Sequence, residues 1–351
     1  MRSSLFNTIK KPFSLFLAIL LCAGLFSGCG RTEKRTANFY TYFDTVTTVT
    51  GYDTAERFSA ASALVEEVLS RYHRATDIYH EYSGEVNAMT VNRCAAEAPV
   101  AVSDELFDVI SYGKEAYSLT NGMCSIAFGA VLSLWHEKRE AALNGEEAAL
   151  PSEDALRSAS EHCSMDDLIL DEAKKTVYFA DSALSLDLGA VAKGYATEMA
   201  AQALSDAGYT GYILSVGGNV RTVGAKPDGS DWSIGIQNPD TESSVGYLCA
   251  VAVTDCSLVT SGSYQRFFTF QGERYHHIIS PETLYPKNDF LSVSVRAKSS
   301  AMCDALSTAL FNMSLADGLS LVRSLPDTEV CWITADGEMH YSDGFEAFLI
   351  G

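Results

Sequence analysis

The stretch LSLDLGAVAKGYATEMAAQALSDAG, residues 184–208, decides the fold class. It reads as a strand that turns through Gly189 into a helix, and YILSVGG at 212–218 follows as the next strand. Working outward, FYTYFDTVTTVTGYD at 39–53 is β-branched and aromatic and predicts one strand ending at Gly51. A helix is expected from about Ser59 to Arg74, and a second in SDELFDVISYGKEAYSLTNG, capped by Ser103 and stopped by Asn121-Gly122. Residues 136–162 predict exposed helices, and LILDEAKKTVYFAD a hairpin. Several strands run on to residue 298, then comes a helix in SSAMCDALSTALFNMS (299–314), then a closing hairpin, WITADGEMHYSD, carried by Asp336-Gly337. Hairpins and helices that do not strictly alternate predict an α+β fold with mixed or antiparallel sheets packed with helices. No linker divides residues 39–351, so one domain is expected.

The N-terminus speaks for the compartment. Arg2, Lys10 and Lys11 precede an uncharged apolar run, Phe13 to Phe26, then Ser27, Gly28 and Cys29. This is a secretory signal, and LFSGC is similar to the lipobox of bacterial lipoproteins, in which the cysteine becomes the lipidated first residue. The apolar run is shorter than the roughly 20 residues of a spanning helix. The expected organisation is a signal peptide at 1–28, a lipidated Cys29 with a polar tether at 29–38, and a catalytic domain at 39–351. Loss of the signal leaves 323 of 351 residues and moves the formal charge from −20 to −23. So acidic a body speaks against nucleic acid and against adsorption to anionic lipid, leaving the tether to hold the chain at an extracytoplasmic membrane surface. Beyond Cys22 and Cys29, seven cysteines lack CxxC spacing and read as buried free thiols.

The helix at 299–314 raises the question of chemistry. Met302, Ala305, Leu306, Ala309, Leu310 and Met313 recur at helical spacing, while Ser300, Asp304 and Thr308 form a stripe at i, i+4, i+8. One reading is a helix edge with Thr308 bonded back to the Asp304 carbonyl and Asp304 in water. The other is a pair of oxygen ligands for a hard cation. The turn DLGAVAKGYA (187–196) exposes backbone groups at a helix start, but no phosphate-loop or dinucleotide fingerprint follows. SVGGNV (215–220), TSGSYQRFF (260–268) and RYHHIISP (274–281) add a double glycine, hydroxyls, Arg266, His276 and His277.

Taken in order, FDT at Phe43, NGMCSIAFGAVLSLW (121–135), DLGAVAKGYA, SVGGNV, TSGSYQRFF, HHIISP and CDALSTA resemble the ApbE-type FAD:protein FMN transferases over essentially the whole mature chain. The resemblance implies a T-fold-related catalytic domain. It also implies a magnesium ion held by the Ala190 carbonyl, Asp304 and Thr308. Flavin contacts would fall on Phe43, Tyr82, Met123, Cys124, Ser125, Asp187, Lys193, His277 and Ile278. Ser125 and Ala127 stand where the family commonly has Asp and Thr.

The implied reaction is Mg²⁺-dependent transfer of the FMN half of FAD to a Thr or Ser hydroxyl of an extracytoplasmic protein, with release of AMP. Asp304, or else His277, would take the hydroxyl proton. Two alternatives stay open: a Mg²⁺-dependent FAD pyrophosphatase giving FMN and AMP, and a flavin-binding lipoprotein without turnover. DALSTA (304–309) itself resembles the acceptor motif of such enzymes, but is read here as ligands on a packed helix.

Overall fold

The computed structural model describes residues 31–351. The signal peptide and Cys29 lie outside the described residues. The centre is an eight-stranded sheet in the order β1 (Glu33–Phe39), β2 (Thr47–Asp53), β6 (Tyr212–Val216), β7 (Asn219–Val223), β10 (Ser257–Gly262), β13 (Phe290–Ala297), β14 (Glu329–Thr334) and β15 (Met339–Tyr341). Every pairing in it is antiparallel. Three small antiparallel sheets surround it. They are β3 (Val100–Ala101) with β5 (Thr176–Phe179) and β4 (Leu168–Asp171), β16 (Leu349–Ile350) with β9 (Tyr247–Val253) and β8 (Trp232–Gln237), and β11 (Phe267–Phe270) with β12 (Glu273–His276). The helices are α1 (Ala55–Thr76), α2 (Ala88–Cys94), α3 (Asp104–Leu119), α4 (Gly129–Leu143), α5 (Glu153–Ser160), α6 (Ala192–Asp206), α7 (Ser300–Asn312) and α8 (Leu315–Arg323). None of the described helices is long and apolar enough to cross a membrane.

Strand alternation gives the central sheet two covered faces. On β14, Val330 and Trp332 enter the large core under the helices, while Cys331 and Ile333 enter a second core. That second core is closed by Ile236, Val251 and Val253 of the β8–β9–β16 sheet. A third cluster joins Trp135 of α4 and Leu156 of α5 to Phe268 and Ile279. The result is helices, sheet and small sheet in layers, the α+β arrangement expected from the chain order.

Several sequence expectations need correction. Residues 39–53 are not one strand: the chain breaks at 40–46, where Phe43 and Asp44 take left-handed backbone angles (φ 54° and 50°), then resumes as β2. Residues 33–38, read as tether, form most of β1, whose charged Glu33, Lys34 and Arg35 suit a sheet edge. Residues 184–188 form no strand and join no sheet. The Asn92 side chain replaces a neighbouring strand there, accepting from Leu186 N at 2.7 Å and donating to Leu186 O at 2.9 Å. The excursion at 136–162 begins in a buried turn, since α4 starts at Gly129 and Trp135 donates to Leu284 O at 2.9 Å. The seven cysteines among the described residues are free thiols, as expected; four are buried and three half-buried.

Candidate functional site

Helix α7 is buried almost all round, and its stripe of polar residues meets the start of α6. No side chain caps α6 locally at Val191. The cap comes from across the helix crossing: Asp304 Oδ2 accepts from Gly194 N at 2.7 Å. A carboxylate at a helix start satisfies a free N–H and meets the positive end of the helix dipole. Gly194 makes the approach possible, because a Cβ there would lie 2.4 Å from Asp304 Cβ and 2.5 Å from the Ser300 carbonyl oxygen. Lys193 Nζ sits 3.8 Å from Asp304 Oδ2 and donates to Gly189 O at 3.2 Å. Asp304 is 4% exposed, and burial raises its pKa against the pull of Lys193 and the Gly194 N–H.

The helix-edge reading of Asp304 and Thr308 is therefore excluded. Asp304 is out of water, and Ser307, not Thr308, bonds back to the Asp304 carbonyl, at 3.0 Å. Thr308 makes no side-chain hydrogen bond among the described residues and lines a cavity with Ala190 and Asp304. No group of three or more His, Cys, Asp or Glu side chains suited to a metal occurs among the described residues. One buried carboxylate, one uncommitted hydroxyl and one turn carbonyl nonetheless fit a hard cation whose remaining ligands are water and substrate phosphate, as magnesium prefers.

The cavity has a volume of about 680 Å³, in the range of cofactor sites. Its far wall is built from loops. The Phe43 N–H donates to His73 Nδ1 at 3.3 Å, and Arg266 holds the Asp44 carbonyl at 3.2 Å. With Nδ1 accepting, the His73 proton sits on Nε2, 3.4 Å from the Tyr82 oxygen, and the Tyr82 hydroxyl donates to Asp77 Oδ2 at 2.8 Å. Burial lowers the His73 pKa, consistent with a neutral ring. Burial works against the Asp77 charge, yet the Tyr79 amide, the Tyr82 hydroxyl and His80 outweigh it and hold the carboxyl below its ordinary value. Tyr82 is pushed up to about 12 by burial and by Asp77. Tyr79 packs on His136, ring centroids 5.1 Å apart, beside Arg139.

Of the residues expected from sequence, the structure brings Phe43, Tyr82, Met123, Ser125, Asp187, Ala190, Lys193, His277, Ile278, Asp304 and Thr308 around this one cavity. Cys124 is the exception: 1% exposed, it points into the large core, away from the cavity. Adjacent residues in an irregular segment face different ways, so the segment supplies Met123 and Ser125 only. The Ser125 hydroxyl is buried without a partner, and Ala127 lies in the core. Asp187 accepts from Gly189 N at 2.8 Å, fixing the turn that presents Ala190, and burial raises its pKa. His277 faces its Nδ1 to the Arg266 carbonyl at 3.3 Å, which leaves Nε2 as an acceptor. Burial, then Arg266 and other cations, push its pKa down to about 3.

Sequence reasoning missed His73, Asp77, Tyr79, His136 and Arg139. A signal existed for two of them: His73 and Asp77 stand four apart at the end of α1, the spacing that drew attention to Asp304 and Thr308. Lys193, Arg139 and Arg266 line the cavity beside four carboxylates, Asp44, Asp77, Asp187 and Asp304, so an anionic ligand there would depend on a further cation held by those carboxylates as well as on the three side-chain charges.

Comparison with known proteins shows the family and the fold. The model of the ApbE family matches residues 43–332. An FAD:protein FMN transferase of Treponema pallidum is 31% identical over 296 residues, covering 80% of each chain. Another, from Klebsiella pneumoniae, is 29% identical over 80% of this chain and 85% of its own. Among solved structures, the ApbE protein of Thermotoga maritima superposes with a TM-score of 0.80 at 26% identity, covering 91% of this chain and all of that one. The flavin transferase ApbE of Vibrio cholerae, at 24% identity and a TM-score of 0.75 over 90% of this chain and 100% of that one, shares the fold. The chain belongs to the ApbE family.

Proposed function

We propose that the protein transfers the FMN half of FAD to a Thr or Ser hydroxyl of another protein and releases AMP. The observation that carries this reading is the junction of α6 and α7, where a buried carboxylate, a free hydroxyl and a turn carbonyl share one cavity with converging cations. A magnesium ion bound by Asp304, Thr308 and the Ala190 carbonyl would supply Lewis-acid stabilisation of the charge that develops on the diphosphate. The chain's own residues perform the rest. Lys193, Arg139 and Arg266 offset phosphate charge, and the left-handed turn at Phe43 and Asp44 presents the Phe43 ring to the ligand. His277 Nε2 is a neutral acceptor facing the same space. An anionic ligand there offsets Arg266 and Lys193, two groups that depress its pKa, and so makes it a better base for the incoming hydroxyl.

The DALSTA run does not serve as an acceptor in this reading, because α7 is packed on nearly every side. In this reading a lipid on Cys29, exposed by removal of the signal at 1–28, would hold the chain at an extracytoplasmic membrane surface, with a protein acceptor in the same space.

The test is incubation of the protein with FAD and Mg²⁺, with and without a carrier protein bearing a Thr-containing tail, following AMP and carrier mass together. AMP in step with a gain of one FMN on the carrier is expected, and both should vanish in Asp304→Ala. AMP without flavinylated carrier would make the protein a pyrophosphatase instead. Bound FAD with neither product would leave a flavin-binding lipoprotein.

A further inference from the structure

The polar stripe of α7 runs one step past Thr308. Asn312 follows at the same four-residue spacing, lines the same cavity and is 1% exposed. At about 1.5 Å of rise per residue, it stands about 6 Å along the helix from Thr308 and about 12 Å from Asp304. Two carbonyls fix the orientation of its amide, because Nδ2 donates to Ile279 O at 3.4 Å and to Thr308 O at 3.3 Å. Both amide hydrogens are thereby used inside the protein. Oδ1 is buried and has no hydrogen-bond partner among the described residues. A buried acceptor left unpaired is costly, so one carried by a cavity wall points to a donor on the ligand.

The neighbouring walls limit the shape of that donor. Ile279, whose carbonyl holds the amide, packs with Phe268 and Trp135, and all three line the cavity while staying buried. This part of the cavity is deep and apolar with aromatic walls, so it suits a planar ring that carries an N–H at its edge, not a phosphate. FAD has two such rings, adenine with its exocyclic amine and isoalloxazine with its N3–H. The transfer reaction tells them apart. The FMN half leaves bonded to a protein that stays outside and has to be drawn out through the mouth, whereas AMP leaves free. The deep position therefore goes to adenine.

We propose that Asn312 Oδ1 accepts a hydrogen bond from the exocyclic amine of adenine and so makes the site selective for the adenine dinucleotide. This rests on the reading of the chain as a flavin transferase that consumes FAD. Asn312 is a specificity residue, since it touches the base and not the reacting phosphate. One helix then carries both tasks: its Asp304 and Thr308 face the diphosphate, and Asn312, one turn further, reads the base attached to it.

The test is equilibrium binding read by flavin fluorescence with Mg²⁺ present, which needs no turnover. FAD is compared with a flavin dinucleotide in which hydrogen replaces the adenine amine, and with FAD methylated at flavin N3. The wild-type protein should bind the amine-free dinucleotide about tenfold more weakly than FAD, the cost of leaving one buried acceptor unpaired. In Asn312→Val that preference should shrink to less than about twofold, and in Asn312→Asp, which keeps an oxygen at the same place, it should persist. Methylation at N3 should change the affinity of Asn312→Val as much as that of the wild type. Equal wild-type affinity for FAD and the amine-free dinucleotide would overturn the inference without recourse to any variant, and would leave the transferase reading intact. So would a full preference retained by Asn312→Val. A loss on N3 methylation that disappears in Asn312→Val would give the amide to the flavin ring and overturn the assignment to adenine. Failure of the wild-type protein to bind FAD at all would sink the transferase reading, and the inference with it.

Discussion

The two walls of the cavity are built on different principles. The α6–α7 wall is a helix crossing so close that only glycine fits at position 194, and its carboxylate is held by a backbone N–H. The facing wall is made of the 41–45 loop and the segment after α1, where side chains hold one another in a chain from His73 through Tyr82 to Asp77. Regular secondary structure fixes a charge in place, whereas loops present planar rings that can adapt to a ligand. The first wall should fail all at once when altered and the second by degrees.

Asp304→Asn should show the largest effect. The amide oxygen can still accept from Gly194, so Tm should move little, while loss of the negative ligand should cut AMP release about 10³-fold, the scale of several kcal/mol of Lewis-acid stabilisation. A variant that kept near-native turnover would mean that Asp304 serves only as the cap of α6. Gly194→Ala tests the same wall from the other helix. Its Cβ would overlap Asp304 Cβ and the Ser300 carbonyl, and even after the gain in helix propensity it should cost about 2 kcal/mol in urea unfolding. An unchanged midpoint would show that the two helices are free to separate.

The walls also differ in how far the sequence disclosed them. Asp304 and Thr308 lie one turn apart on a single helix, and periodicity alone exposes such a pair. Lys193 and Ala190 sit in the turn that opens α6, a place where chain geometry already favours anions. The loop wall has no period: Phe43, Tyr79 and His136 are brought together by tertiary contacts spanning α1 and α4. Even there a resemblance carried over by motif named Phe43 and Tyr82, which line the cavity. It also named Cys124, whose side chain turns into the core, because a linear motif does not say which of three neighbouring side chains turns inward. At the level of fold, the helix capped by Ser103 and the periodic helix at 299–314 were legible. The break of 39–53 into two strands was not, because the left-handed turn at Phe43 and Asp44 carries no glycine to announce it.

His277 lines the same cavity and should respond to pH. Its pKa in the folded chain is about 3, against 6.5 ordinarily. Between these values the unfolded chain takes a proton that the folded one refuses, so its contribution is intact above about 6.5 and is lost as pH falls towards 3. The slope is at most about 1.4 kcal/mol per pH unit, less in proportion to its partial exposure. His73 and His276, both lowered by burial, act in the same sense. Stability measured by urea between pH 7 and 5 should therefore fall less steeply in His277→Gln than in the parent. Bound FAD should flatten the parent's slope by offsetting Arg266 and Lys193. An identical slope in the variant would place the titrating histidine elsewhere.

Tyr82→Phe should give the smallest effect and the most local one. The phenol helps to hold Asp77 below its ordinary value of 3.8. For a carboxylate so lowered, the stabilisation is present above that ordinary value and disappears as pH falls through the folded one. Removing one hydrogen bond from it should cost about 1 kcal/mol at pH 7. The difference should shrink at pH 3, where protonation is weakening the parent as well. Because the amides of Tyr79 and His80 still hold Asp77, the segment should keep its shape, and FAD affinity should fall by no more than a few fold. A cost that stayed the same at both pH values would mean that the ring packs the wall without holding its charge, and the loop wall would then be as rigid by contact as the helix wall is by its buried carboxylate.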